Sequence, residues 1–494
     1  MLSAILLTQF AVIVTPVYST PIQAQNADPS AAQGIVSFYK DVFEYDWAMG
    51  IQYDPDRDGM GLAQNFSLGG SGFRDFSRPP QTIEGEMSIT PVLSPDNSIP
   101  QTIALIESAQ ETLEIQTMYI TDSFVQNIPT ILEAIIDALD RGVEVRIIVS
   151  HHGSNQDPLD QLTAAGATIR ISRSNASAGN YFDTMHNKGI IVDGVKVLIS
   201  SINWSANSLQ NNREAAIIVE NEEVGAYYLD IFDYDWGASE EYDKTSHFTS
   251  ASHETPIPAS EGDFVLGDPS AAYSYAGNFP ASTFSGEMKV TCIVSPDNCF
   301  DVVRDLLENA QTSIDVSVYT LSHPFLMQTL IDRMEAGVQV RLLLDSNTVS
   351  GWERNYNRWT MANLTASDLH DNPAAGNWAN TANSAFEGAD PAFRFQHSKY
   401  CIIDDATLII SSGNWASTSC PTPRNYDGEG HANVRGNRDW WFVVYGDGSY
   451  VPGQYGFDLF DLLEEISFGF SFLLFAAVGI AFLVFKKSKI INQN

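Results

Sequence analysis

One pattern of residue types occurs twice in this chain with identical spacing. The pattern is H-x-K-x4-D-x6-S-S-x-N, which begins at residue 186 and again at residue 397. A single H-x-K triplet is common by chance, but a pattern of this length matched twice indicates duplication. The residues supplied are His186, Lys188, Asp193, Ser200, Ser201 and Asn203 in one copy, and His397, Lys399, Asp404, Ser411, Ser412 and Asn414 in the other.

The sequence around the two copies repeats as well. G-E-M-x2-T-x3-S-P-D-N occurs at 85–97 and 286–298, and N-R-E at 212–214 has a counterpart, N-R-D, at 437–439. The period is about 200 residues, so the repeated unit is a whole domain. We predict an N-terminal extension (25–80), repeat 1 (81–240), a polar linker (241–281) and repeat 2 (282–456).

Short β-branched runs alternate with helical patterns inside each repeat. In repeat 1, residues 100–111 and 125–141 show helical spacing, and 113–119 and 143–149 read as strands. Segments 189–192 and 195–200 flank Asp193-Gly194 and predict a hairpin. The equivalent strands of repeat 2 are 338–344 and 400–403. Such alternation predicts an α/β fold with a mixed or parallel sheet.

A pentapeptide in the N-terminal extension resembles the end of repeat 1. F-E-Y-D-W at 43–47 matches F-D-Y-D-W at 232–236. Two interpretations stay open: a remnant of a further repeat, or a recurrent capping helix that packs an aromatic face. The extension itself is either a small separate segment or an addition to repeat 1.

Both ends of the chain have membrane-related patterns. Residues 2–17 are apolar and small residues follow up to Ala24, which is typical of a signal peptide over 1–24; an uncleaved anchor is the alternative. Residues 466–485 carry no charge, are long enough to span a bilayer, and precede a Lys-rich tail at 486–494. We therefore expect a single-pass protein of the cell membrane, anchored by its C-terminal helix, with the part of the chain before residue 466 outside the cytoplasm.

Charge and cysteines restrict the partners and cross-links. With 26 basic and 61 acidic residues the net charge is −35, so the surface lacks the basic stripe of proteins that track phosphate backbones. Export permits disulfides, and four cysteines allow three full pairings. Cys292 and Cys299 are the favoured pair, because they are close in sequence and absent from repeat 1.

The doubled motif supplies the groups that phosphodiester cleavage needs. Successive side chains of a strand point to opposite faces, so the His and Lys of H-x-K point the same way. Lysines can neutralise charge on a transferring phosphoryl group, and preorganised donors can stabilise its oxygens. One His can attack phosphorus while a second, protonated, assists the leaving alcohol. The donors expected to bind the phosphate are Lys188, Lys399, Asn203, Asn414, Ser201 and Ser412.

This constellation resembles the signature of the phospholipase D superfamily. The resemblance implies two pseudo-symmetric α/β/α sandwich repeats with one active site between them, a covalent phosphohistidine intermediate, and no cofactor. The family's usual order makes His186 the nucleophile and His397 the acid and base, although the reverse stays open. Glu214 and Asp439 resemble the carboxylates that orient the histidines, and uninterrupted spacing assigns Glu214 to His186. Asp193 and Asp404 are interpreted as structural.

Two further segments carry hypotheses. Asp54, Asp56 and Asp58 resemble the start of a calcium loop, but Asn65 replaces the Glu expected at the twelfth position, and an acidic turn is the alternative. Repeat 2 also has an insertion at 417–436, which we expect to shape the substrate entrance.

The substrate class follows from the setting of the site. An anchor beside a bilayer favours a phospholipid, with a role in lipid metabolism. A nuclease acting on DNA or RNA, an enzyme for another phosphodiester, and a catalytically inactive binding ectodomain are the alternatives. Hydrolysis and transphosphatidylation stay equally open, and the chain is expected to be monomeric.

Overall fold

The computed structural model describes residues 30–58, 78–150, 154–172, 182, 184–243, 273–277, 279–345, 348, 351–367, 379–381, 391–422 and 436–449. The predicted signal peptide, transmembrane helix and cytoplasmic tail lie outside these ranges, as does most of the linker. Within them, none of the helices combines the length and the apolar character needed to cross a bilayer.

Helices and strands alternate through both repeats. The helices are α1 (Ala31–Met49), α2 (Pro55–Asp58), α3 (Ser98–Glu107), α4 (Asp122–Asn127), α5 (Pro129–Asp140), α6 (Gln156–Ala165), α7 (Ala206–Gln210), α8 (Glu222–Ala238), α9 (Cys299–Glu308), α10 (Pro324–Glu335) and α11 (Gly351–Ala366). The strands are β1 (Ile51–Gln52), β2 (Gln81–Ser94), β3 (Thr112–Thr117), β4 (Glu144–Ser150), β5 (Thr168–Ser172), β6 (Lys188–Val192), β7 (Lys196–Ser200), β8 (Glu214–Glu220), β9 (Glu240–Glu241), β10 (Phe284–Ser295), β11 (Ser313–Val318), β12 (Gln339–Leu344), β13 (Ala379–Thr381), β14 (Lys399–Ile403), β15 (Thr407–Ser411) and β16 (Asp439–Tyr445).

All described strands belong to one mixed sheet, which confirms the expected α/β class. Its order is β1-β13-β12-β11-β14-β15-β16-β10-β2-β8-β7-β6-β3-β4-β5-β9. β3, β4 and β5 are parallel, whereas the predicted hairpin of β6 and β7 is antiparallel, as are β7 and β8. The long strands β2 and β10 pair antiparallel at the centre and join the repeats. The two expected sandwiches thus share one continuous sheet.

Helices cover both faces of the sheet and divide the core. On one face each repeat has its own apolar core, built in repeat 1 on strand residues such as Ile115 and Ile147 and in repeat 2 on Val316 and Leu342. On the other face α1 and α8 lie over a single core that spans both repeats. Burial of this shared core joins the two halves, because separating them would expose its apolar surface to water.

One predicted helix is divided in two. Residues 125–141 show continuous helical spacing, but the structure breaks the segment at Ile128, between α4 and α5. The prediction of one helix is wrong because Pro129 lacks the N–H that a continuing helix would need there. Proline instead suits the first turn of a new helix, where α5 begins.

Helix α1 covers mainly the part of the sheet that repeat 2 forms. It packs mainly on β10 and β16, whereas α8 packs on β7 and its neighbours. The two pentapeptides occupy equivalent places: the Arg341 guanidinium lies 4.8 Å from the centre of the Phe43 ring, and that of Arg146 lies 5.1 Å from the Phe232 ring. The interpretation as a recurrent capping helix is therefore supported. Of the two interpretations left open for the extension, an addition to repeat 1 does not describe α1, because the main contacts of this helix are with strands of repeat 2.

The favoured disulfide does not form. Cys292, Cys299, Cys401 and Cys420 are all free and buried. Cys292 lies on β10 in the core shared with α1 and α8, whereas Cys299 opens α9 in the separate core of repeat 2. Proximity in sequence was misleading because the intervening turn carries the chain from one face of the sheet to the other.

Candidate active site

Each histidine of the doubled motif lies just before a strand that begins with the motif lysine. Lys188 begins β6 and Lys399 begins β14, and the four side chains are buried. In repeat 2 the Lys399 Nζ lies 2.8 Å from the His397 Nε2, so both side chains point the same way, as strand alternation predicts. In repeat 1 the Lys188 ammonium donates to the backbone carbonyl of His186.

The carboxylate partners of the histidines are exchanged between the repeats. The His186 Nδ1 lies 2.8 Å from the Asp439 Oδ1, and the His397 Nδ1 lies 2.7 Å from the Glu214 Oε2. The predicted assignment of Glu214 to His186 is wrong: spacing along the chain says nothing about which repeat docks beside which histidine. The structure therefore interlocks the two half-sites, since each is built from both repeats.

The motif serines bind these carboxylates. The Ser201 hydroxyl donates to the Glu214 Oε2 at 2.6 Å, and that of Ser412 donates to the Asp439 Oδ1 at 2.8 Å. Each serine Oγ also accepts a backbone N–H, from Ala215 and from Trp440 respectively. A hydroxyl has one proton to donate. The expected phosphate-binding role of Ser201 and Ser412 is therefore corrected to positioning of the carboxylates.

The motif asparagines present buried amides with unused capacity. Among the described residues, the Oδ1 atoms of Asn203 and Asn414 are buried and accept no hydrogen bond. Buried amides are usually satisfied, and these two occupy the same position of the motif in both repeats. Because amide oxygen and nitrogen can exchange places by rotation, the NH₂ end of either asparagine can donate to a phosphate oxygen.

The carboxylate contacts determine what the imidazoles can do. An ionised carboxylate only accepts hydrogen bonds, so each contact requires the proton on Nδ1 of the histidine. In a neutral ring Nε2 then carries the lone pair needed for attack on phosphorus. In a protonated ring the same atom is an acid for a leaving group. One geometry thus supports both roles.

The aspartates of the motif hold the hairpin turns. Asp193 has a φ of 52° and Asp404 a φ of 55°, a conformation that Asp tolerates in such turns. The Asp193 carboxylate accepts three backbone N–H groups, from Gln110, Glu111 and Thr112. Burial opposes ionisation, yet these donors hold the pKa of Asp193 below its usual value. Asp404 has the equivalent contacts and a lowered pKa as well. These contacts agree with the structural interpretation of both aspartates.

One aromatic residue at the site escaped the sequence reasoning. The Tyr319 ring meets His397 edge to face, with centroids 4.8 Å apart, and the Lys399 Nζ lies 5.6 Å from the centre of the same ring. Tyr319 follows the residue that pairs with Lys399, and Met118 holds the equivalent position beside Lys188. Aligning the ends of β3 and β11 would have revealed this difference.

The remaining hypotheses do not add to the site. Asp54, Asp56 and Asp58 fold on themselves: the Asp54 Oδ1 accepts the Asp56 N–H, and the Asp58 Oδ2 accepts the Asp54 N–H. In the described part of the chain no group of three or more His, Cys, Asp or Glu side chains is arranged to hold a metal. These contacts agree with the alternative, an acidic turn, and residues 59–65 of the proposed calcium loop lie outside the described residues. Most of the insertion at 417–436 lies outside the described residues.

Comparison with known families gives a direct match over both repeats. The family model described as "Cardiolipin synthase, PLD-like domain" matches residues 102–236 and 303–429, together more than half of the 494 residues. Both matched segments contain an H-x-K motif and its following Ser-Ser-x-Asn element.

Individual relatives are more distant. The chain is 28% identical over 159 residues to mitochondrial cardiolipin hydrolase of Xenopus tropicalis, covering 32% of this chain and 68% of the relative. It is 31% identical over 126 residues to phospholipase D of Rickettsia conorii, covering 25% and 56%. Among solved structures, phosphatidylserine synthase of Haemophilus influenzae is 12% identical with a TM-score of 0.48, covering 74% of this chain and 82% of that one. The phospholipase D family member Nuc of Salmonella typhimurium is 22% identical with a TM-score of 0.26, covering 33% and 99%.

Proposed function

The chain belongs to the phospholipase D superfamily, and from this premise we propose that it is a phosphodiesterase that cleaves phospholipids through a covalent phosphohistidine. The observation that carries the proposal is the pair of interlocked half-sites. Two buried histidines each contact a carboxylate of the opposite repeat through Nδ1, with a motif lysine alongside. This arrangement provides one Nε2 for attack and another for proton transfer.

The reaction then proceeds in two displacements. The Nε2 of His186 attacks phosphorus, the bond to the leaving alcohol breaks, and His397 gives that alcohol its proton. His397 next removes a proton from water, which attacks the phosphohistidine and releases the product. Lys188 and Lys399 offset the charge on the phosphoryl oxygens, and Asn203 and Asn414 supply hydrogen bonds to them. Because lysines carry that charge, turnover is expected to survive EDTA.

The choice of His186 as nucleophile follows the usual order of the family. The spacing of Glu214 adds no support to this choice, because Glu214 contacts His397 and not His186. A phospholipid substrate agrees with the apolar run at 466–485, which would hold the enzyme beside a bilayer. The protein is then a monomer that crosses the cell membrane once and has its catalytic part outside the cytoplasm.

The test is hydrolysis by the full chain in detergent. Vesicles of phosphatidylcholine, phosphatidylglycerol or cardiolipin and a single-stranded DNA are each offered with EDTA present, and His186→Ala is the control. We expect release of lipid headgroups by the wild type alone. A primary alcohol added to the same assay separates transphosphatidylation from hydrolysis. Cleavage of DNA without cleavage of lipid would make the protein a nuclease, and inertness toward every substrate would favour a binding ectodomain.

A further inference from the structure

Three repeated motifs each contribute one residue to a buried cluster around an arginine in each repeat. The Arg213 side chain is 0% exposed. Its Nε and Nη2 donate to the Asp46 Oδ1 at 3.1 and 3.0 Å, and its Nη1 donates to the Asp96 Oδ2 at 2.8 Å and to the Ser94 carbonyl at 3.3 Å. Asp46 belongs to the F-E-Y-D-W pentapeptide, Asp96 to S-P-D-N, and Arg213 to N-R-E. Arg213, Asp46 and Asp96 form the first arginine cluster.

The second arginine cluster, of Arg438, Asp235 and Asp297, has the same hydrogen bonds. The Arg438 Nε and Nη2 donate to the Asp235 Oδ1 at 3.2 and 3.0 Å, and its Nη1 donates to the Asp297 Oδ2 at 2.8 Å and to the Ser295 carbonyl at 2.9 Å. Arg438 is also 0% exposed. The agreement extends atom by atom through both halves, so the cluster belongs to the duplicated unit.

Burying these charges is expensive. Burial raises the pKa of Asp46 and of Asp235 to about 6, even though each carboxylate faces an arginine. Buried ion pairs often contribute less stability than well-packed apolar residues of similar volume. A role other than stability therefore has to account for the two clusters, and their position in the chain suggests what it is.

Each arginine directly precedes the carboxylate that contacts a histidine, and its backbone binds that same histidine's strand. The His397 N–H donates to the Arg213 carbonyl at 2.8 Å, and the Arg213 N–H donates to the Phe395 carbonyl at 2.9 Å. In the other half the His186 N–H donates to the Arg438 carbonyl at 3.1 Å, and the Arg438 N–H donates to the Thr184 carbonyl at 2.9 Å. Each arginine thus fixes the backbone of a histidine through its own main chain. It also fixes the next residue, whose carboxylate accepts the hydrogen bond from Nδ1 of that histidine.

We propose that Arg213 and Arg438 are positioning residues that hold each histidine in register with the carboxylate of the opposite repeat. The planar guanidinium fork binds two separate acids, one on a capping helix and one after a long central strand, and so fixes the carboxylate strand from behind. A displacement of about 1 Å at a catalytic group can lower a rate about 100-fold. The kinetic part of this inference rests on the proposed function, whereas the geometric part does not.

The chain provides matched controls on the same two capping helices. Arg146 donates to Glu114 and to Asp233 of α8, and Arg341 donates to Asp315 and to Glu44 of α1. These arginines lie on β4 and β12, several strands away in the sheet from β8 and β16, which carry Glu214 and Asp439. Arg146→Lys and Arg341→Lys therefore test the loss of an arginine fork on each helix without the loss of register at the site.

The experiment compares the full-length variants Arg213→Lys, Arg438→Lys, Asp46→Asn and Asp235→Asn with these two controls. We expect kcat to fall about 100-fold in the four cluster variants with KM within about twofold of wild type, and to stay within about twofold in the controls. The two asparagine variants keep the size and shape of the aspartate side chain. They therefore still test the alignment of each histidine with its carboxylate if an arginine variant fails to fold. Melting temperatures of both groups identify variants that are merely unstable.

A second readout does not need activity. With the histidine rings labelled with 15N, the Nδ1 proton held by Glu214 gives a low-field proton resonance, identified by its loss in His397→Gln. Arg213→Lys and Asp46→Asn are expected to shift or abolish it, and Arg146→Lys and Arg341→Lys to leave it in place. An inactive wild type would reject the proposed function and leave this readout decisive. Unchanged resonance and kcat in the cluster variants, or equal losses in the controls, would overturn the positioning role.

Discussion

The two half-sites use one motif but differ around the imidazole. His397 contacts Glu214, meets the Tyr319 ring and has the Lys399 Nζ 2.8 Å from its Nε2, whereas His186 contacts the shorter Asp439 and has Met118 at the position equivalent to Tyr319. A two-step displacement needs one histidine neutral and the other protonated at the same moment. Duplication supplies two equal scaffolds, so the division of roles has to come from the residues that differ.

The largest effect is expected from removing either imidazole. His186→Ala and His397→Ala should each lower kcat/KM about 10³-fold or more, and the double variant should be little worse, because residues that act as one unit are not additive. Initial rates on a phosphodiester with a p-nitrophenol leaving group measure this. Each variant should melt at the wild-type temperature, which would show that the loss of activity does not come from misfolding. Near-normal turnover in either single variant would mean that the half-sites work separately.

The carboxylates separate the two roles. Asp439→Asn and Glu214→Gln should each lower kcat about 10²- to 10⁴-fold, as the loss of a histidine-orienting carboxylate does elsewhere. A p-nitrophenol leaving group needs little acid assistance, so with His186 as nucleophile only Glu214→Gln should accumulate phosphoenzyme. Acid quenching with labelled substrate and peptide mapping locate the label.

Label on the peptide that contains His397, accumulating in Asp439→Asn instead, would reverse the two roles and keep the reaction class. Absence of label from both peptides would argue for direct attack by water.

The aromatic contact should matter only on one side. Tyr319→Leu removes an edge-to-face pair worth about 0.5–1.5 kcal/mol, so kcat should fall about 2- to 10-fold. Met118→Leu, at the equivalent position of repeat 1, should change kcat less than about twofold. Steady-state kinetics of the two variants side by side provide the measurement, and equal effects would show that the ring does not differentiate the half-sites.

The smallest effect on activity is expected at the motif aspartates, where the repeats are alike. Asp193→Asn and Asp404→Asn should leave kcat within about twofold and lower the free energy of unfolding by about 1–2 kcal/mol.

The pKa of each of these carboxyls is lower in the folded protein than in the unfolded chain. Its contribution to stability is therefore present above the pKa of the unfolded chain and is lost as pH falls through the folded value. The difference in stability from wild type should therefore shrink between pH 5 and strongly acidic conditions; urea titrations across that range check it. A difference that grew on acidification would contradict the assigned contacts.

The sequence predicted what depends on local pattern. Alternation and an Asp-Gly turn were enough for β6 and β7, and the doubled motif was enough to select the two histidines. It missed what depends on docking: the contact between His186 and Asp439 joins residues 253 positions apart, and nothing in the local spacing distinguishes that partner from Glu214. Arg213 and Arg438 were overlooked for the same reason, since a repeated N-R-E looks like a strand end until its partners are brought together.

Helix α1 has a consequence for the order in which the protein is made. The Lys40 Nζ of α1 binds Asp315 at 2.5 Å, a partner 275 residues later, and α1 packs on β10 and β16. At ~5–20 residues per second, a ribosome needs roughly 10–50 seconds after finishing α1 to complete β10, and longer to complete β16. Helix α1 is thus synthesised long before the strands on which it packs, and its apolar face has to be kept from other surfaces throughout that interval. Contacts between segments so far apart in sequence form slowly. Assembly of repeat 2 is therefore the folding step at which aggregation is most expected and at which chaperones would help most.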